Sequence, residues 1–167
     1  MNPLRIKYNL LPVFLIATAS ILIFISCKKQ HDNGCMPAMP STEAPSMAAF
    51  CTSNNINYTV DSNGIYYQVI NPGSGSKATI DSTVTVTYST SLLSGQVIDS
   101  SHIVTPVTLP LNQFIEGWQI AIPYIQEGGH LRMVVPSALA YGCTGIQNLV
   151  PSNSPLYFDV VLIDVSN

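Results

Sequence analysis

Hydrophobic and polar residues divide this chain into stretches of different period. From Leu10 to Ile25 the apolar run is broken only by Pro12, Thr18 and Ser20, with Arg5 and Lys7 ahead of it and Ser26 and Cys27 behind. A basic start, a short apolar middle and a small residue before the cut is the layout of a secretory signal. The run is about sixteen residues long, short of the roughly 20 that a membrane-spanning helix needs. Residues 28–40 are polar and contain Pro37 and Pro40, as expected of a tether. Ser41 is placed to cap a short helix running towards Cys51, which Pro45 must either start or kink.

From Ile56 the pattern becomes that of strands. Asn57–Val60 and Ile65–Ile70 flank Asp61-Ser62-Asn63-Gly64, and Asn-Gly between two β-rich runs predicts a hairpin, because glycine accepts the positive φ that such turns use. Thr83–Tyr88 alternates β-branched residues, and Leu131–Val135 and Leu156–Val165 are equally strand-like. One helix interrupts the series, Gly117–Gln126, stopping at Gly128-Gly129 and obliged by Pro123 to start late or to bend. Four to six antiparallel strands around a short helix make an α+β domain.

Composition narrows the function. Once the leader is removed, Lys28, Lys29, Lys77 and Arg132 face nine carboxylates, a net charge of −5, so there is no basic face for nucleic acid. His31, His102 and His130 are scattered and no C-x-x-C occurs, which gives neither a metal site nor a dithiol, and no cofactor motif is present. Asp99, Ser100, Ser101 and His102 are adjacent and therefore point apart, unlike a hydrolase triad gathered from distant segments. Gly73–Lys77 lacks the spacing of a phosphate loop. In an oxidising compartment Cys35, Cys51 and Cys143 can form one bridge among themselves; nearness in sequence favours Cys35 with Cys51, with the other two pairings open. Tyr88, Ile98, Trp118, Tyr141 and Phe158 read, by periodicity alone, as core.

Two resemblances change this. Phe24-Ile25-Ser26-Cys27 is similar to a bacterial lipobox, with Phe24 where an aliphatic residue is usual, and implies that Cys27 is diacylated and becomes the mature N-terminus. The blocks Val84–Ser101, Pro106–Trp118, Glu127–Gly145 and Val150–Val165, in that order, resemble the FKBP (macrolide-binding immunophilin) family of peptidyl-prolyl cis/trans isomerases over about residues 64–165. The resemblance implies a twisted antiparallel sheet wrapped around one short α-helix, and a prolyl pocket between helix and sheet. It implies Trp118 as pocket floor, Tyr88, Tyr141 and Phe158 as aromatic walls, Asp99 as the pocket carboxylate, Phe114 and Ile115 as the segment whose N–H receives a carbonyl, and Leu149 and Val150 as aliphatic loop positions. Ile98 stands where Phe is common, Val107 replaces another aromatic and Ile146 stands where some members have His, so a wider, less aromatic pocket is expected; Thr90 replaces a common Gly, a change in strand geometry.

The organisation expected is a leader over 1–26, a lipidated N-terminus with tether and short helix over 27–55, and an isomerase domain over 56–167. The expected protein is exported and anchored to a bacterial envelope membrane by lipid at Cys27, facing the periplasm. It acts as a monomer, without cofactor, on proline-containing polypeptides. A second reading, a peptide-binding or chaperone module of the same fold, is opened by the pocket departures.

Overall fold

The hairpin expected near Gly64 forms between β1 (Thr59–Val60) and β2 (Tyr66–Asn71). Asp61 organises its loop by accepting the Asn63 and Ile65 N–H groups, at 2.9 and 2.8 Å, and Gly64 takes φ +82°. The computed structural model describes residues 34–101 and 105–167; the leader, Cys27, His31 and His102 lie outside them.

The remaining strands are β3 (Thr83–Leu92), β4 (Val97–Ser100), β5 (Val107–Pro110), β6 (His130–Val135) and β7 (Leu156–Ser166). All described pairings are antiparallel, in the order β1-β2-β6-β7-β3-β4, with β5 pairing the first half of β3 and β4 the second. Strand period sorts side chains between the two faces. Leu131, Met133 and Val135 of β6 and Leu156, Phe158, Val160 and Leu162 of β7 enter the main core, while the intervening Val134 and Tyr157 face the other way. An irregularity in the β3–β7 register at Ile163 shifts this parity, so that Val165 again faces the core and Ile163 is exposed.

Helix α2 (Glu116–Ala121) lies on the core face and continues as a 3-10 turn, Ile122–Tyr124, so the helix is shorter than the expected Gly117–Gln126. Pro123 explains this, since its missing N–H and its ring are tolerated in a new first turn but not in a helix interior. Gly117 permits the close approach: a Cβ there would stand 2.3 Å from Val135 Cγ1.

The opposite face is covered by a longer helix, α1 (Pro40–Ser53). Ser41 is not its cap; Met39 holds that position, Pro40 begins the first turn, and Pro45 lies within the helix. Met47 and Cys51 are fully buried with Ile56 and Val134, flanked by Phe50, Tyr58, Tyr66 and Tyr157. Asn33–Asn167 is one compact unit, so the expected boundary at residue 56 falls inside it. The bridge also differs from the favoured pairing: Cys35 is joined to Cys143 and Cys51 is a buried thiol. Cys51 is held on the sheet by its helix, whereas the segment before α1 runs past the loop that follows Tyr141.

Candidate functional site

The site grows from one transverse row of the sheet. Met133 pairs with Phe158, Phe158 with Thr90, and Thr90 with Asp99, so these side chains share the core face across four strands. Tyr88 stands two residues along β3 on that face, which sets it diagonally beside Asp99. Its hydroxyl donates to Asp99 Oδ2 at 2.5 Å. Burial, then this bond and the carboxylate charge, push the Tyr88 phenol far above its ordinary range.

Trp118 comes from the first turn of α2. It is 3% exposed and its ring meets three others: Tyr88 and Phe158 edge-on at 5.3 and 5.6 Å, and Phe114 stacked at 4.9 Å with 12° between planes. Such pairs add about 0.5 to 1.5 kcal/mol beyond area burial. Phe114 is fixed through its carbonyl, which accepts from Gln119 Nε2 at 2.7 Å. The Ile115 carbonyl starts α2 by accepting from Trp118 and Gln119, while no described residue accepts the Ile115 N–H. Trp118 Nε1 is likewise buried without a partner among the described residues.

The third wall is the loop from Tyr141 to Val150, after a 3-10 turn at Ser137–Leu139. Ile146 and Val150 close it by exchanging backbone bonds at 2.8 and 2.9 Å. Gly145 makes the closure possible, with φ +61° and space for no Cβ, which would fall 2.2 Å from the Val150 carbonyl oxygen. The Tyr141 hydroxyl has no hydrogen-bond partner among the described residues. Partial burial, then the charge of Asp99, raise its pKa above the usual phenol value.

These parts enclose a cavity of about 420 Å³ lined by Tyr88, Thr90, Ile98, Asp99, Gln113, Phe114, Ile115, Trp118, Tyr141, Ile146, Leu149 and Phe158. Two residues expected at the site are elsewhere. Val150 is 3% exposed and belongs to the core, turned inward by its pairing with Ile146, and Val107 pairs with Val86 on β5 and packs against the core. Thr90 and Gln113 line the cavity without having been expected to: Thr90 through its pairing with Asp99, Gln113 through its place before Phe114 and Ile115. The Phe114 ring covers part of one face of the indole. No group of three metal-ligating side chains occurs among the described residues.

Comparison with known proteins agrees with this geometry. The family profile described as FKBP-type peptidyl-prolyl cis-trans isomerase matches residues 74–163, more than half of the 167-residue chain. The chain is 38% identical over 105 residues to the FKBP-type peptidyl-prolyl cis-trans isomerase FkpA of Escherichia coli, covering 62% of this chain and 38% of that protein. It is 38% identical over 120 residues to the peptidyl-prolyl cis-trans isomerase Mip of Coxiella burnetii, covering 70% of this chain and 52% of that one. The chain thus spans about two-fifths to one-half of these relatives' lengths. A crystal structure of a peptidyl-prolyl cis-trans isomerase from Pseudomonas syringae superposes with TM-score 0.65 at 29% identity, covering 78% of this chain and 98% of that one.

Proposed function

The chain belongs to the FKBP-type peptidyl-prolyl cis-trans isomerase family, and on that premise we propose that it accelerates rotation about X-Pro bonds in exported polypeptides. Amide resonance sets a barrier of about 18 to 20 kcal/mol for this rotation. No covalent bond is made or broken, so neither a nucleophile nor a cofactor is required. A dry aromatic cavity disfavours the charge-separated planar amide, and fixed donors hold the twisted one. Lowering the barrier by about 5 to 8 kcal/mol corresponds to roughly four to six powers of ten in rate.

In this reading the proline ring enters against Trp118 and Phe114, while Ile98, Ile146, Leu149 and Phe158 exclude water. The Ile115 N–H and the Tyr141 hydroxyl donate to peptide carbonyls. Asp99, held by Tyr88, supplies a negative field at the rim without transferring a proton. The observation that carries the proposal is that two donors unengaged by described residues, Ile115 N–H and Tyr141 O–H, border one cavity floored by a tryptophan. A protease-coupled isomerisation assay on the full chain tests it. The expected result is acceleration at micromolar enzyme; peptide binding without acceleration would replace the enzyme by a binding module.

The same reading has residues 1–26 removed as a leader and Cys27 lipidated, so that the protein is anchored to an envelope membrane on the export side. The bridge between Cys35 and Cys143 supports an oxidising compartment. Two or more acyl chains make anchoring stable where one is marginal. Membrane fractionation of a Cys27→Ala variant tests the anchor, and unchanged fractionation with normal processing would count against it.

A further inference from the structure

Three contacts tie the segment around the start of α1 to the loop that carries Tyr141. Cys35 is bonded to Cys143, with Cα atoms 5.2 Å apart. The Ala38 N–H donates to Asn153 Oδ1 at 3.0 Å. Glu43, a buried carboxylate, accepts the Ser137 N–H at 2.8 Å and also the Ser137 hydroxyl. The held positions bracket the loop: Ser137 precedes Tyr141, Cys143 follows it closely, and Asn153 lies beyond Leu149. On the other side of each contact stand Cys35, Ala38 and Glu43, all outside the family match of 74–163.

Within itself the loop is held by turn bonds, from Gly142 N to the Ser137 carbonyl, Gly145 N to the Tyr141 carbonyl, Leu149 N to the Ile146 carbonyl and Asn153 N to the Gly142 carbonyl, by the short Ile146–Val150 exchange, and by the Ser152 hydroxyl donating to the Cys143 carbonyl at 2.6 Å. Gly142, Gly145, Asn148 and Asn153 all have positive φ. A segment of turns with few buried apolar side chains is the kind that opens locally at low free-energy cost. Tyr141, Ile146 and Leu149 lie on it, and the first of these must meet a carbonyl within hydrogen-bond reach.

We propose that Cys35, Ala38 and Glu43 form a strap that positions Tyr141, Ile146 and Leu149 in the prolyl pocket, with the Cys35–Cys143 bridge as its main fastening. The inference rests on the isomerase reading above. These are positioning residues, since none of them lines the cavity. The fastening can be undone by a dithiol: two electrons and two protons pass to the bridge, the S–S bond breaks to give the Cys35 and Cys143 thiols, and the reductant closes to its own disulfide. Removal of the bridge also destabilises the whole domain by freeing the unfolded chain. The test must therefore separate the loop from the rest.

The experiment compares the full chain with its Cys35→Ser/Cys143→Ser variant, well below both melting temperatures. Amide exchange is read at Gly142, Gly145, Ile146 and Val150 against the amides of β3 and β7, and kcat/KM on a proline peptide is measured in parallel. The loop amides are expected to exchange at least tenfold faster relative to those of β3 and β7, and kcat/KM to fall about three- to tenfold. That fall should shrink in a Tyr141→Phe background, because a strap cannot position a missing hydroxyl. Glu43→Ala should act in the same direction, with Glu43→Gln restoring most of the effect. If the double variant does not fold, dithiol reduction of the folded wild type and its reversal on reoxidation give the same readouts. Loop amides that change no more than those of β3 and β7, or kcat/KM within twofold of wild type, would overturn the strap. An inactive wild type would instead sink the isomerase reading, and the exchange comparison alone would then decide whether the strap orders the loop.

Discussion

Replacing Tyr141 by phenylalanine removes one hydroxyl from the rim of the cavity and leaves the ring. Tyr141 is 37% exposed, and its hydroxyl has no partner among the described residues, so the change strands no buried group. Folding stability should move by less than about 0.5 kcal/mol. If the hydroxyl donates to a carbonyl of the twisted peptide, its loss should cost about 1 to 2 kcal/mol in the transition state, roughly five- to thirtyfold in kcat/KM. Tyr88→Phe provides the matched control from the same cavity. Its hydroxyl is committed to Asp99 at 2.5 Å. A bond to a charged acceptor is worth about 1.5 to 3 kcal/mol, reduced here to about 1 because Asp99 is exposed to solvent. Tyr88→Phe should therefore lower the melting temperature by about 3 to 6 °C. Tyr141→Phe should lower only the rate. Because partial burial and the charge of Asp99 raise the Tyr141 pKa, the wild-type contribution should be lost on the alkaline side at a higher pH than an ordinary phenol would ionise. Thermal melts and protease-coupled kinetics on the two variants decide the matter; kcat/KM of Tyr141→Phe within twofold of wild type would refute the hydrogen-bonding role.

Three further outcomes are expected. Met47→Ala, a fully buried side chain of α1, should cost about 2 to 5 kcal/mol in denaturant unfolding, whereas a tether helix would give almost nothing. Burial pushes the Cys51 thiol from 9.0 up to about 11. Since the unfolded thiol ionises first, the stability this supplies is fully present below pH 9 and is lost as pH rises through 11, about 2 to 3 kcal/mol in all. The alkaline limb of stability against pH should accordingly be flatter in Cys51→Ala, and equal slopes would contradict the assignment. Phe114→Val should expose the face of Trp118, the single tryptophan, red-shifting its emission and weakening proline-peptide binding about two- to tenfold. Unchanged emission and affinity would show that the stacked ring contributes nothing.

The parts of the fold that repeat locally were the easiest to read. Alternation in Thr83–Tyr88 and Leu156–Val165 and the Asn-Gly turn locate β3, β7 and the β1–β2 hairpin because each depends on neighbouring residues alone. Pro123 signalled the break in α2 for the same reason. The pocket was different. Tyr88, Trp118, Tyr141 and Phe158 look like core residues until a family pattern assigns them a common cavity, because cross-strand pairing brings them together and no spacing rule states it. The docking of α1 was not legible: Val134 and Tyr157 are single positions in two strand-like stretches, and nothing at them names the helix that covers that face. Glu43 was equally silent, since a lone acidic residue reads as surface until its partner Ser137 is seen. Closeness along the chain does not locate the Cys35–Cys143 bridge, because the fold brings a cysteine 108 residues away beside Cys35.

The strand order has a kinetic consequence. Among the described residues, strands β1, β2 and β6 form one half of the sheet and β3, β4 and β5 the other, and β7 joins them by pairing with β6 on one side and β3 on the other. The joining contacts are remote along the chain, from Leu92 with Leu156 to Thr83 with Ser166. Loop closure must precede the gain from such pairings, so folding should fall in the millisecond-to-second range typical of non-local β topologies. Until β7 is in place the half-sheets have open edges and exposed apolar rows, the condition in which chains aggregate. The domain would thus pass through a slow assembly whose final step waits on β7.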